Sequence, residues 1–158
     1  MGKECFKLRS EGTKYYIDVF GDLDEEAIFK DIELPNATEV FINFEGVKRI
    51  QSCGIREWIY FIQPHSKVVF HYLKCPKVIV DQMNLLEGFL PKGTIVESFY
   101  VPYYSEEFGT EKLVLFKFGI EFDENGLRPP SNVVDEKGNL LEMDVMEEKY
   151  FKFLTYNK

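Results

Sequence analysis

The side chains best suited to chemistry are few in this chain, and their spacing matches no catalytic or metal-binding pattern. They are His65, His71, Cys5, Cys53 and Cys75. Neither histidine lies near the serine and acid that a nucleophilic triad needs. The cysteines are odd in number and too widely spaced for a disulfide framework or a zinc knuckle. We therefore predict no catalytic residue, no metal site and no cofactor, and a reducing, cytoplasmic compartment.

The charge balance argues against two classes of partner. The chain of 158 residues has 27 acidic and 19 basic side chains, which gives a formal net charge of −8. A negative field repels the phosphates of nucleic acids and of anionic lipids. No stretch is apolar enough to span a membrane, and residues 1–9 lack the apolar core of a signal peptide. We expect neither a nucleic-acid partner nor a membrane partner.

The first part of the chain predicts a β-hairpin, a helix and a buried strand. Residues 4–9 and 15–20 flank a glycine-containing turn, which is typical of a hairpin. Residues 24–31 have acidic side chains near their start and are followed by a proline, a pattern that predicts a short helix. Residues 39–44, EVFINF, are almost continuously apolar, which predicts a central strand covered on both faces.

The next part predicts two helices that alternate with a strand. Residues 52–62, SCGIREWIYFI, have apolar side chains at the spacing of one helical face. That face is formed by Ile55, Trp58, Ile59 and Ile62. Ser52 stands at the start of the helix, where a serine hydroxyl can cap the first turn. Residues 67–73 predict a strand and residues 75–90 a second helix, and this alternation is typical of an α/β domain with a mixed sheet.

The last third predicts a second hairpin and a tail. Residues 94–104 and 111–118 are two strand-like runs separated by turn residues. From residue 119 onward, glycine and proline recur at short intervals and predict an extended loop, and residues 146–154 predict a short helix. We therefore divide the chain into a domain at residues 1–104 and an extension at residues 105–158 that packs on it.

Residues 40–62, VFINFEGVKRIQSCGIREWIYFI, resemble the signature of the anti-sigma-factor antagonist (STAS) family, and a looser resemblance covers residues 6–104. In that family a central strand runs through a turn into a helix. The turn commonly reads Asp-Ser-Ser-Gly or Asp-Ser-Thr-Gly, and its first serine receives a phosphate from a partner kinase. Ser52 falls on that position, while Gln51 replaces the aspartate. Ser52 is thus either a phosphorylation site or a helix cap alone.

The resemblance implies a STAS-like mixed β-sheet with helices packed on it, and a signalling function without enzymatic activity. The partner it implies is an anti-sigma, kinase-like or sensory protein, and homodimer formation stays open. A phosphate at Ser52 would add close to two negative charges and break binding to an acidic or apolar surface. The implied partner surface consists of Gly46, Val47, Lys48, Arg49, Ile50, Gln51, Ser52, Cys53, Gly54 and Arg56.

Residues 102–111, PYYSEEFGTE, resemble the first knuckle of a small zinc ribbon that follows STAS-like domains in some bacterial proteins. There the pattern is Cys-x-x-Cys-Gly, whereas here Ser105 and Phe108 occupy the cysteine positions before Gly109. Because a structural zinc ion needs four thiolate or imidazole ligands, the resemblance implies a ribbon that has lost its metal. Aromatic packing would then hold the knuckle, through Phe99, Tyr103, Tyr104, Phe108, Phe116 and Phe118.

A second class of function stays open beside the interaction module. Aromatic side chains could line an apolar pocket for a small molecule, as in a sensory domain. The candidates for that pocket are Trp58, Phe61, Tyr100, Tyr103 and Tyr104. An enzyme is the least favoured class, because no glycine-rich phosphate loop or catalytic pattern is present.

Overall fold

The computed structural model describes residues 4–156 and has a mixed α/β architecture. Five strands form one sheet in sequence order: β1 (Phe6–Glu11), β2 (Lys14–Leu23), β3 (Glu39–Ile50), β4 (Val69–Leu73) and β5 (Ile95–Val96). The first pair is antiparallel and the other neighbours are parallel. The predicted α/β class with a mixed sheet is therefore confirmed. The ends of the two predicted units, residues 1–3 and 157–158, lie outside the described residues.

The predicted N-terminal hairpin is present. β1 and β2 pair from Phe6 opposite Val19 to Glu11 opposite Lys14. Gly12 in the turn has a φ of +64°, a left-handed conformation that glycine adopts without steric cost. β2 is longer than predicted and pairs with β3 along its whole length, so the hairpin forms one side of the sheet.

The prediction of a helix at residues 24–31 is wrong, because this segment consists of turns and extended chain. The Asp24 carboxylate accepts the N–H of Glu26 at 2.9 Å, and the Asp24 carbonyl accepts the N–H of Ala27 at 3.1 Å. Such local bonds compete with helical ones, and a helix this short gains little stability by itself. Burial then decides the conformation: Phe29 is fully buried, with its ring centroid 5.0 Å from that of Trp58.

The helix predicted to start at residue 52 is confirmed as α1 (Ser52–Ile62), and the second predicted helix is shorter than expected. That helix, α2, spans Lys77–Leu85, and a 3₁₀ turn, Glu87–Phe89, follows it. The buried stripe of α1 consists of Gly54, Trp58, Phe61 and Ile62. Ile55 and Ile59, predicted on the core face, lie at the border of this stripe and are only half-buried.

The prediction that β3 is covered on both faces is wrong. Phe44 is fully buried and packs against Trp58 of α1, with ring centroids 5.4 Å apart. Phe41, which points to the opposite face, is half-buried and stacks between Tyr16 and His71 at centroid distances of 5.1 Å and 4.1 Å. Right-handed crossovers between successive parallel strands place their helices on the same side. The other side of the sheet is therefore protected by its own aromatic row instead of a helical layer.

The C-terminal part adds two small β-structures. β6 (Ser98–Ser105) and β7 (Thr110–Lys117) form the predicted second hairpin, and β8 (Phe122–Asp123) and β9 (Gly126–Leu127) form a short hairpin inside the predicted loop. β10 (Glu142–Met143) pairs with β6, which gives a three-stranded antiparallel sheet in the order β10-β6-β7. A short helix, α3 (Glu147–Tyr150), and a 3₁₀ turn, Lys152–Thr155, end the described chain, as the predicted tail helix anticipates in part.

The two sheets share one hydrophobic core. The N–H of Tyr100 on β6 donates to the carbonyl of Cys75 at 2.9 Å, which joins the second sheet to the connection after β4. The predicted boundary between residues 104 and 105 falls at the last residue of β6, inside the β6–β7 hairpin. The second sheet therefore begins with β6, which starts before that boundary and already packs against the first sheet.

Candidate functional site

Ser52 is the first residue of α1, and its side chain is exposed at the point where β3 ends. The N-cap is Gln51, with φ −102° and ψ 164°, so the prediction that Ser52 caps the helix is wrong. The Gln51 side chain makes no capping hydrogen bond with the described residues 4–156. The first N–H groups of an uncapped helix, together with its dipole, favour a negative charge nearby. The Ser52 hydroxyl therefore has no capping role and lies where an added negative charge is tolerated.

Gly54 holds the start of α1 directly against β2. A Cβ atom at this residue would lie 2.0 Å from the carbonyl oxygen of Leu23 and 2.5 Å from its carbonyl carbon. The same oxygen accepts the N–H of Gln51 at 2.9 Å, so the backbone on both sides of the contact is fixed. Glycine is the residue that this approach permits, and the approach sets the position of the whole first turn, including Ser52.

Basic side chains and an apolar depression flank Ser52. Lys48 and Arg49 are exposed at the end of β3, and Arg49 Nε lies 3.5 Å from Asp22 Oδ1. Arg56, one turn after Ser52, lines with it a depression of about 260 Å³. The apolar walls of this depression are Ile55, Ile59, Tyr60 and Leu86. This depression thus combines a positive group with apolar walls, on a chain of net charge −8.

The walls of this depression, called here the α1 depression, are not among the predicted site residues. Tyr60 is 60% exposed and lies outside the predicted apolar face of α1. An aromatic residue off the core face of an amphipathic helix is the sequence signal that would have found it. Leu86 comes from the chain after α2, and no local pattern in the sequence places it beside α1.

The structure brings most of the predicted partner-binding residues to the surface. The exposed ones are Gly46, Lys48, Arg49, Gln51, Ser52 and Arg56. Ile50 and Cys53 are half-buried, and Cys53 Sγ lies 3.9 Å from Glu25 Oε2. Val47 and Gly54 are buried, so these two residues support the surface from beneath.

The five aromatic residues of the small-molecule hypothesis do not form one pocket. Trp58 and Phe61 are buried in the core beneath α1, and Tyr103 is buried in the second sheet. Tyr100 donates its hydroxyl hydrogen to Glu45 Oε2 at 2.8 Å. Tyr104 alone of the five lines a cleft of about 720 Å³ between α2 and the segment containing β10 and α3.

The segment that resembles a zinc knuckle forms the β6–β7 hairpin. Within residues 4–156, no three His, Cys, Asp or Glu side chains are grouped to hold a metal ion. Phe99 and Phe116 are fully buried with ring centroids 5.6 Å apart, so these two stabilise the hairpin as predicted. Phe108 and Phe118 are about half exposed, and Phe118 reaches this packing only through Phe122, with ring centroids 5.7 Å apart. Phe108 precedes Gly109 in the turn itself, between β6 and β7.

His71 and Cys75 have structural surroundings. His71 Nδ1 lies 2.8 Å from Glu97 Oε1, and His71 Nε2 lies 3.0 Å from Glu39 Oε1. The hydrogen bond to His71 is the main cause that lowers the pKa of Glu39 below its ordinary value. Burial raises the pKa of the Cys75 thiol, which favours the neutral form expected of a packing residue.

Comparison with protein families, with curated proteins and with solved structures found no match. Among the described residues, every helix is too short or too polar to cross a membrane. The functional argument for this chain therefore depends on its own residues and on their geometry.

Proposed function

We propose that this chain is a non-enzymatic, cytoplasmic signalling module of the anti-sigma-factor antagonist (STAS) type, which binds an anti-sigma, kinase-like or sensory protein. The observation that carries the proposal is the exposed Ser52 on the uncapped first turn of α1. The passage from β3 through Gln51 into α1 supports the proposal, because the family signature is a strand that runs through a turn into a helix. Ser52 occupies the position at which that family is phosphorylated.

The partner surface consists of the end of β3, the first turn of α1 and the α1 depression. Lys48 and Arg56 offer positive charge, and Ile59 and Tyr60 offer apolar walls. A partner that fits this surface presents an acidic side chain beside an apolar one. Burial of the apolar side chain contributes most of the affinity, while the charges set orientation and association rate.

A phosphate on Ser52 would act through the same surface. It would add close to two negative charges at the start of α1, where the helix dipole accepts them. Arg56 is four residues later and faces the same depression, so the phosphate would compete with the partner's acidic group for this cation. We therefore propose that phosphorylation of Ser52 releases the partner without unfolding α1.

The test is affinity purification from the native organism with tagged wild type, Ser52→Ala and Ser52→Glu in parallel. Mass spectrometry identifies the bound proteins and any phosphate on Ser52. A kinase-like or sigma-regulatory partner should be recovered by wild type and Ser52→Ala, and reduced at least about tenfold by Ser52→Glu. Ser66→Glu is the matched control, because Ser66 is exposed beyond the opposite end of α1 and should leave the partner bound.

Arg56→Ala tests the binding surface independently of phosphorylation at Ser52. This variant keeps Ser52 unmodified but removes the cation of the α1 depression, so it should weaken the same partner. If wild type, Ser52→Glu and Arg56→Ala recover that partner equally, the binding surface lies elsewhere on the chain. If wild type recovers no protein above the tag alone, the interaction module itself is refuted.

The cleft between α2 and α3 favours a second candidate function, the binding of a small molecule. Its volume of about 720 Å³ lies within the range typical of ligand sites, about 300–1,000 Å³. Leu85, Tyr104, Met143 and Met146 give it apolar walls. A ligand of the native state should raise the melting temperature of wild type in a thermal-shift screen but not that of Leu85→Lys, which changes an exposed wall. A screen in which no compound stabilises the wild type would remove this candidate.

A further inference from the structure

The outer edge of β7 presents backbone groups that the rest of the sheet does not use. β6 and β7 pair antiparallel along their whole length, and the N–H of Phe118 donates to the carbonyl of Glu97 at 2.9 Å. Successive residues of a strand point their N–H and C=O groups to opposite sides. The even-numbered residues of β7 therefore bond to β6, and the odd-numbered residues point outward.

The free part of this edge is short and has a definite end. Within residues 4–156, the outward backbone groups of Glu111, Leu113 and Leu115 have no hydrogen-bond partner. At Lys117 the edge is closed by Glu121, whose carboxylate accepts the Lys117 N–H at 3.1 Å and whose N–H donates to the Lys117 carbonyl at 3.2 Å. The free tract is thus centred on Leu113.

The centre of the β7 edge has no charged side chain, although Glu111, Lys112 and Lys117 flank it. Natural edge strands are commonly protected by charged side chains, proline or bulges, and β1 follows this rule with Lys7, Arg9 and Glu11. The centre of β7 is apolar instead, and Leu113 is 62% exposed. An exposed apolar edge of this kind is a template on which another strand can pair.

We propose that β7 pairs antiparallel with β7 of a second copy of this chain, about a two-fold axis at Leu113. In this register Leu113 faces Leu113 of the second copy, and Glu111 faces Leu115, so every outward group of the free tract is used. Charge complementarity selects a second copy as the occupant. Glu111 shares a sheet face with Lys117 and lies diagonal to Lys117 of the second copy, at about 7–8 Å, within reach of long side chains.

The oligomeric state of the full chain tests this proposal. Analytical ultracentrifugation from about 1 to 200 µM should show wild type approaching twice the mass of one chain. Leu113→Pro removes one outward N–H without touching the bonds to β6, a position where strands tolerate proline, and should raise the dissociation constant at least about tenfold. Ser10→Pro is the matched control: Ser10 has an outward N–H on the β1 edge, so this variant should dimerise like wild type.

Three further variants keep the test decisive. Leu113→Lys places two like charges at the two-fold axis, so this variant should also be monomeric. It replaces Leu113→Pro as the test of the interface if circular dichroism shows that Leu113→Pro is unfolded. Leu113→Cys should form a disulfide between copies under mild oxidation, because directly opposed Cα atoms lie about 5.5 Å apart. Glu111→Cys, which faces Leu115, should crosslink no faster than wild type. Any of three results would overturn the proposal. The wild type could be monomeric at about 200 µM, it could stay monomeric and pair instead with a strand of a different protein, or the dimer could persist in Leu113→Lys.

Discussion

Replacing Gly54 by alanine should destabilise the protein, although the same change in most helix interiors is stabilising. Alanine is favoured over glycine inside a helix by about 1 kcal/mol. At Gly54 the added Cβ would lie 2.0 Å from the Leu23 carbonyl oxygen, a contact with backbone and not with a movable side chain. Forced overpacking costs up to about 3 kcal/mol, so a net destabilisation of about 2 kcal/mol remains after the helix gain is subtracted.

Chemical unfolding followed by the fluorescence of Trp58, the single tryptophan, measures this difference. In a chain of this size, about 2 kcal/mol corresponds to a fall in melting temperature of about 4–8 °C. Gly88→Ala is the matched control, since its Cβ would meet nothing closer than Ile59 Cγ2 at 3.8 Å. That variant should be as stable as wild type or gain about 0.4–1 kcal/mol. A Gly54→Ala protein as stable as Gly88→Ala would refute the close approach of α1 to β2.

Three other perturbations probe the core, the tail and the loop before β10. Trp58→Ala should cost about 3–5 kcal/mol in a denaturant titration followed by circular dichroism, because Trp58 is fully buried; a loss below about 1 kcal/mol would contradict its place in the core. Asn84→Ala should cost about 1–3 kcal/mol and expose the tail to proteolysis, since the Asn84 amide donates to the Tyr150 carbonyl at 2.8 Å; unchanged proteolysis would show that the tail docks without this bond. Burial alone would raise the pKa of Asp135, but hydrogen bonds from the Thr110 hydroxyl and nearby backbone N–H groups outweigh it and lower the pKa to about 2. Because folding lowers this pKa, the ionised Asp135 carboxylate stabilises the protein above the unfolded value of 3.8, and this contribution is lost as the pH falls toward 2. Asp135→Asn should therefore lessen the loss of stability over that pH interval. An unchanged dependence of stability on pH would contradict the lowered pKa of Asp135.

Short-range patterns were sufficient to predict several elements. The turn at Gly12 and its flanking strands, the apolar spacing in α1 and the β6–β7 pair are each set by neighbouring residues, and all three are present. The segment at residues 24–31 has the same kind of local signal but forms no helix. There the burial of Phe29 against Trp58 outweighs a weak propensity, and that contact joins residues far apart in the sequence.

The candidate site was predictable in its position and not in its details. The motif around Ser52 indicated a strand-turn-helix junction, and β3 and α1 meet there. The capping role assigned to Ser52 was wrong because the helix starts one residue earlier than a cap at that position requires. Leu86 reaches the α1 depression from the chain after α2, so this wall depends on packing between helices.

The sequence by itself determined the α/β class, the order of most strands and helices, the place of Ser52 at the start of α1 and the aromatic character of the core. These properties follow from residue type and from spacing over a few positions, where backbone sterics and apolar periodicity act directly. Only the tertiary structure decided that Gly54 meets Leu23 and that, among residues 4–156, no helix covers one face of β3 and no segment pairs with the β7 edge at Leu113. Each of these depends on which distant segments share a surface, and that choice is made by the packing of the whole core, not by any local pattern.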